Sequence, residues 1–169
     1  GIFSGTLAAG NTTITGTLNA SGQITAASFN PSSTSGIIGT TTNNDAAAGS
    51  VGQYVESVVN GISYPTSTQY GDTTSISLTA GDWDVSLNVV SYNNGATVTS
   101  IGHGISTTSG NSATGLVLGS NYSETVPPTS TYKAGATVAA YRIKLASTTT
   151  VYAKMQASYT VATPNCTVR

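Results

Sequence analysis

Few side chains in this 169-residue chain are able to do chemistry, and their spacing restricts what they do. The acids are Asp45, Glu56, Asp72, Asp82, Asp84 and Glu124. Glycoside hydrolysis needs two carboxylates facing one bond. Asp82 and Asp84 are the closest pair and share a parity, but Asp82 falls in an expected turn, where capping a backbone N–H is its ordinary work. A nucleophilic triad needs a base, and His103 is the sole histidine, set between Gly102 and Gly104 on the parity of Ile101 and Ile105. That position reads as a core or subunit-interface histidine. On a threefold axis three copies of it would face one another, which makes His103 a candidate axis residue. The single cysteine, Cys166, makes no intrachain disulfide and no thiolate zinc site. Asn43-Asn44-Asp45 offers one acid only, and reads as a solvated turn rather than a Ca²⁺ loop. The residues therefore predict no catalytic group, no metal and no cofactor, and the chain is expected not to be an enzyme.

Binding has better raw material. Of nine tyrosines, Tyr70, Tyr92, Tyr122 and Tyr132 fall in expected loops, beside Asn93, Asn94 and Asn121. Tyrosine rings offer flat apolar faces to sugar rings, and amides match hydroxyls, at little rotamer cost. These seven residues are the candidate receptor-binding set. The competing reading has the tyrosines covering sandwich ends or filling subunit contacts.

The elements that must hold them are strands. The stretch Ser75 to Val90, SISLTAGDWDVSLNVV, puts Trp83, Val85, Leu87 and Val89 on one parity and Asp84, Ser86 and Asn88 on the other. That is the period of a strand with one buried face. Ile76 and Leu78 alternate likewise, so Thr79-Ala80-Gly81-Asp82 is expected to close a central hairpin. Upstream, Val51 to Tyr64 reads as two runs broken by a hairpin at Asn60-Gly61. Downstream, Thr97 to Ser106, Gly115 to Leu118, Thr137 to Ala146 and Val151 to Val161 read as strands, the last closing the fold, with Asn121 to Ala134 a long loop. About eight strands and no helical period predict an all-β head, an antiparallel two-sheet sandwich of the jelly-roll kind over residues 51–169.

Residues 1–35 follow a different grammar. Ser4-Gly5-Thr6-Leu7 with Gly10 returns as Thr15-Gly16-Thr17-Leu18 with Gly22, and Ile14 and Ile24 follow the two glycines. Repeats this thin cannot bury a core within one chain, so they are expected to form a trimeric β-repeat stem with Leu7, Ile14, Leu18 and Ile24 along a shared axis. Residues 36–50 read as a neck. The opening Gly in place of Met is read as the mark of a processed or partial chain.

Charge sets limits on partners. Charged residues make up 7% of the chain and the net charge is -1, with no basic cluster to hold nucleic acid or an anionic membrane. No apolar run approaches the ~20 residues that span a bilayer.

The Gly/Ser/Thr/Asn stem, then Gly52-Gln53-Tyr54-Val55, LTAGDWDVS, GHGISTTSG and STTTVYAKMQASYTV, together resemble the C-terminal heads of bacteriophage fibre and tail-needle-like virion proteins. The likeness covers roughly residues 51–169. Such heads are similar in outline to the trimeric knobs of the tumour-necrosis-factor and C1q superfamily. The resemblance implies a homotrimer on a virion, its stem toward other virion proteins and its knob outward for attachment to a host surface glycan or protein. It departs at the end, where Cys166-Thr167-Val168-Arg169 replaces an Arg-rich tail. Two alternatives stay open: a capsid or tail decoration protein without receptor binding, and an exported bacterial surface or spore-coat protein with a C1q-like head. A polysaccharide depolymerase is the poorest fit, because its carboxylate pair would have to be Asp82 and Asp84.

Overall fold

A computed structural model describes residues 10, 13–28, 45–127 and 133–169. The chain divides into two compact units, Gly1–Asn43 and Asn44–Arg169. Among the described residues of the first unit none lies in a strand, and Ile14, Leu18 and Ile24 are all exposed. Leu7 lies outside the described residues.

The second unit is built from eight strands: β1 (Val59–Ser63), β2 (Tyr70–Leu78), β3 (Gly81–Tyr92), β4 (Thr97–Ser106), β5 (Tyr122–Thr125), β6 (Lys133–Leu145), β7 (Thr149–Thr160) and β8 (Asn165–Val168). They form two antiparallel four-stranded sheets, ordered β1-β8-β3-β6 and β2-β7-β4-β5. No helix occurs among the described residues. The architecture is all-β with two facing antiparallel sheets, as the period-two patterning predicts.

β3 shows why. Its side chains alternate strictly between exposed and inward, so Val85, Leu87 and Val89 enter the core while Asp84, Ser86 and Asn88 stay wet. Ile101 and Ile105 of β4, Val151 and Met155 of β7, Val138 of β6 and Leu78 of β2 meet them there. Fully burying one such side chain stabilises the fold by roughly 1.5–3 kcal/mol.

Connectivity differs from the sequence reading at four places. β2 and β3 are not a hairpin: Thr79-Ala80 carries the chain from one sheet to the other, and each strand pairs elsewhere. Alternation fixes which face is buried and leaves the pairing partner open. Asn60-Gly61 is no hairpin turn but an irregularity inside β1, where the register to β8 slips between Val59 and Ile62 and Gly61 takes φ 65°. Gly115 to Leu118 is not a strand, and β5 arises within the segment read as loop. Finally β8, four residues behind Pro164, slides between β1 and β3 after the point where the fold was expected to close.

Candidate functional site

The sole histidine sits in the core of its own chain, 1% exposed, so it is not free to face neighbouring copies across an axis. Its parity with Ile101 and Ile105 points it between the sheets, where Tyr64 Oη lies 2.5 Å from both His103 Nε2 and Ser91 Oγ. Histidine, serine and a third polar group within reach of one another are the raw material of nucleophilic catalysis. Here they are sealed: Tyr64 and Ser91 are 3% and 0% exposed. Burial holds the imidazole pKa down at about 4 and pushes the phenol of Tyr64 up. His103 Nδ1 has no partner. An orphaned acceptor is tolerated more often than an orphaned N–H, which favours the tautomer that donates from Nε2 to Tyr64, whose hydroxyl then donates to Ser91. Cys166 lies beside this cluster with Sγ 3.7 Å from Met155 Sδ, and burial pushes its thiol up to about 12. At neutral pH it is a protonated, inert sulfur. The cluster is a polar knot sealed in the core, satisfied at every polar side-chain atom but His103 Nδ1, with no route for substrate.

The candidate binding residues divide into two groups. Asn121 and Tyr122, expected on an exposed loop, are instead buried, at 3% and 8%. The Asn121 amide staples the segment 107–121 to β4, donating to Ile105 O at 2.9 Å and Gly115 O at 2.6 Å and accepting from Val117 N at 2.7 Å. Tyr122 lies flat on the outer face of β4, over two glycines. A Cβ added at Gly102 would stand 1.8 Å from Tyr122 Oη, and one at Gly104 2.7 Å from Leu116 Cδ2. Tyr70 opens β2 and is half-buried, its ring centroid 6.1 Å from that of Tyr122. These residues pack the outside of a sheet, and only Tyr70 retains a surface.

The same face hides a residue that the alternation of β7 assigns to solvent. Lys154 has a fully buried side chain, with Nζ 2.5 Å from Asp72 Oδ1 and 2.6 Å from Gly110 O. Asp72 Oδ2 accepts from Gly110 N at 2.8 Å, so lysine and aspartate together grip both main-chain polar groups of one residue of the 107–121 segment. The only sequence signal was the pair of glycines in GHGIS, which empties the sheet surface under that segment.

Tyr92, Asn93 and Asn94 stay together at one end of the sandwich, Tyr92 ending β3 and the two asparagines opening the connection to β4. Lys133 Nζ stands 5.3 Å from the centre of the Tyr92 ring, a cation over an aromatic face. Asn94 is exposed at φ 49°, a conformation Asn tolerates, and its amide donates to Thr163 O at 3.3 Å. Asn93 Oδ1 is buried without a partner. Val161, 92% exposed at φ 79°, projects from the neighbouring turn between β7 and β8. Ring, amides and an exposed aliphatic make this end the surviving candidate site. Tyr132 lies outside the described residues. Asp82 and Asp84 are both exposed on β3, and Asp82 is ion-paired to Arg142, which holds its carboxyl below the usual range. Among the described residues no three His, Cys, Asp or Glu side chains converge as metal ligands would.

No family model matches the chain, and no curated protein or solved structure matches it.

Proposed function

We propose that this chain is a homotrimeric structural fibre protein of a phage-type virion, whose N-terminal repeats share one axis and whose C-terminal sandwich is a knob that contacts a host surface. The observation that carries the reading is the exposure of Ile14, Leu18 and Ile24, at 53%, 61% and 48%, in a segment without charge to solvate it. Exposed aliphatics at repeat spacing call for copies of themselves. The finer fold supports the same reading. Strand orders β1-β8-β3-β6 and β2-β7-β4-β5 are what two interleaved Greek keys produce, the arrangement of a jelly roll. In this reading Tyr92, Asn93 and Asn94, three copies on one knob, are the attachment patch, where avidity multiplies a weak single contact.

A decoration protein without a receptor gains from one finding: Asn121 and Tyr122, two of the sequence candidates, are spent inside the fold. Cell adsorption separates the two readings. The full chain should bind host cells and lose that binding on Tyr92→Ala with Asn94→Ala. Absence of adsorption by a trimeric preparation would assign the chain to decoration.

A further inference from the structure

β8 is too short for the sheet it enters. Its last pair with β3 is Val168 opposite Val89, and Arg169 then exchanges two main-chain bonds with Asn88, at 2.7 and 2.9 Å. β3 continues for seven more residues, down to Gly81. Alternation turns the N–H and C=O of Asp84 and Ser86 to the same side as those of Asn88, away from β6, and among the described residues no backbone group pairs with them on that side. On the far side of the gap residues 53–57 run toward β1 with Gln53, Val55 and Ser57 half-buried, Ser57 Oγ being 2.5 Å from Thr74 Oγ1 of β2. Between them, in line with β8, is a cleft of 190 Å³ whose floor is Leu78, Val85, Leu87, Ile105 and Val151. That exceeds the ~150 Å³ of an apolar cavity able to take up benzene.

We infer that this cleft is a strand-addition site, which takes an extended segment of another protein as the missing half of β8. Main-chain pairing with Asp84 and Ser86 would give affinity, and alternate aliphatic side chains entering the cleft would give register. Charge narrows the guest. At the rim Asp82 is ion-paired to Arg142 and Glu56 to Arg169, whereas Asp84, opposite Arg142 in the β3–β6 ladder, forms no ion pair of its own among the described residues. A guest residue opposite Asp84 on the outer face stands about 5 Å away across the ladder, where a lysine or arginine is favoured. The runs of this chain that alternate aliphatic and basic residues, Tyr141 to Leu145 and Val151 to Met155, are already built into β6 and β7, so the guest is a different polypeptide rather than a second copy.

The test uses the full chain and a capped hexapeptide of alternating valine and threonine with one outward threonine replaced by lysine. Hydrogen exchange at the Asp84 and Ser86 amides should slow at least tenfold at saturating peptide, and Trp83 emission should shift, because its ring lines the cleft. Ser86→Pro removes only the outward N–H of an edge, so the unfolding midpoint should hold while peptide protection is lost. Asp84→Lys should exchange the preference for a lysine-bearing peptide for one bearing glutamate. No slowing at millimolar peptide overturns the inference, as does protection confined to other amides. Protection of Asp84 and Ser86 that rises with protein concentration alone would assign the cleft to a second copy and overturn it equally.

Discussion

At the scale of residues, the informative feature is a titratable group locked in its neutral form. The unfolded chain takes up a proton on His103 near pH 6.5, whereas the folded chain refuses it until about pH 4. Stability is therefore complete above pH 6.5 and falls as the pH drops through the window down to about 4. The loss reaches about 2 kcal/mol at pH 5. Urea midpoints at pH 7.5 and pH 5 measure it, and His103→Gln should flatten the difference even though it costs stability at both. The glycines flanking the histidine give a second expectation. Gly102→Ala forces Tyr122 off β4, because the new methyl group would fall inside the phenol oxygen. Overpacking of this kind costs about 1–3 kcal/mol, and Tyr122→Phe in the same chain should recover part of it, which a double-mutant cycle reads directly.

At the scale of elements, the sequence made faces legible and partners illegible. Val85, Leu87 and Val89, or Ile101 and Ile105, declare their buried side by parity alone, and each lies where that parity puts it. Parity does not say that Thr79-Ala80 crosses between sheets, since a strand buries one face whichever neighbour it pairs with. β8 escaped notice because four residues carry too few alternations to stand out beside Pro164. Lys154 escaped notice for the opposite reason: its parity is outward, and it is buried only because the segment 107–121 folds over that face. Of the candidate site, Tyr92, Asn93 and Asn94 were legible as a turn, while the burial of Asn121 and Tyr122 depends on glycines of another strand. The grip of Lys154 and Asp72 on Gly110 predicts how this cover fails. Lys154→Met keeps the apolar stem and removes the charge, leaving a carboxylate that is a quarter exposed and able to rehydrate. The expected cost is about 2 kcal/mol, below that of a fully buried unpaired charge. Limited proteolysis should cut first within residues 107–121 of this variant and not in the parent.

At the scale of the whole molecule, the two units ask for different kinds of support. The sandwich contains its own core, so its unfolding should be indifferent to the first unit. The N-terminal repeats carry Ile14, Leu18 and Ile24 in the open, so on the fibre reading their order is a property of the assembly. Replacing Ile14 and Leu18 by Asp places like charges on the shared axis, six in a trimer, where desolvation and repulsion both oppose association. Sedimentation of the parent at micromolar concentration should give a trimer, and the double variant should shift toward monomer with the thermal midpoint of the sandwich unchanged. Because the contacts are apolar and charged residues are 7% of the chain, raising NaCl from ~0.1 to ~1 M should leave the parent trimer intact, although it shortens the Debye length from about 10 to 3 Å. A parent that sediments as a monomer, or a double variant that stays trimeric, removes the shared axis and with it the fibre.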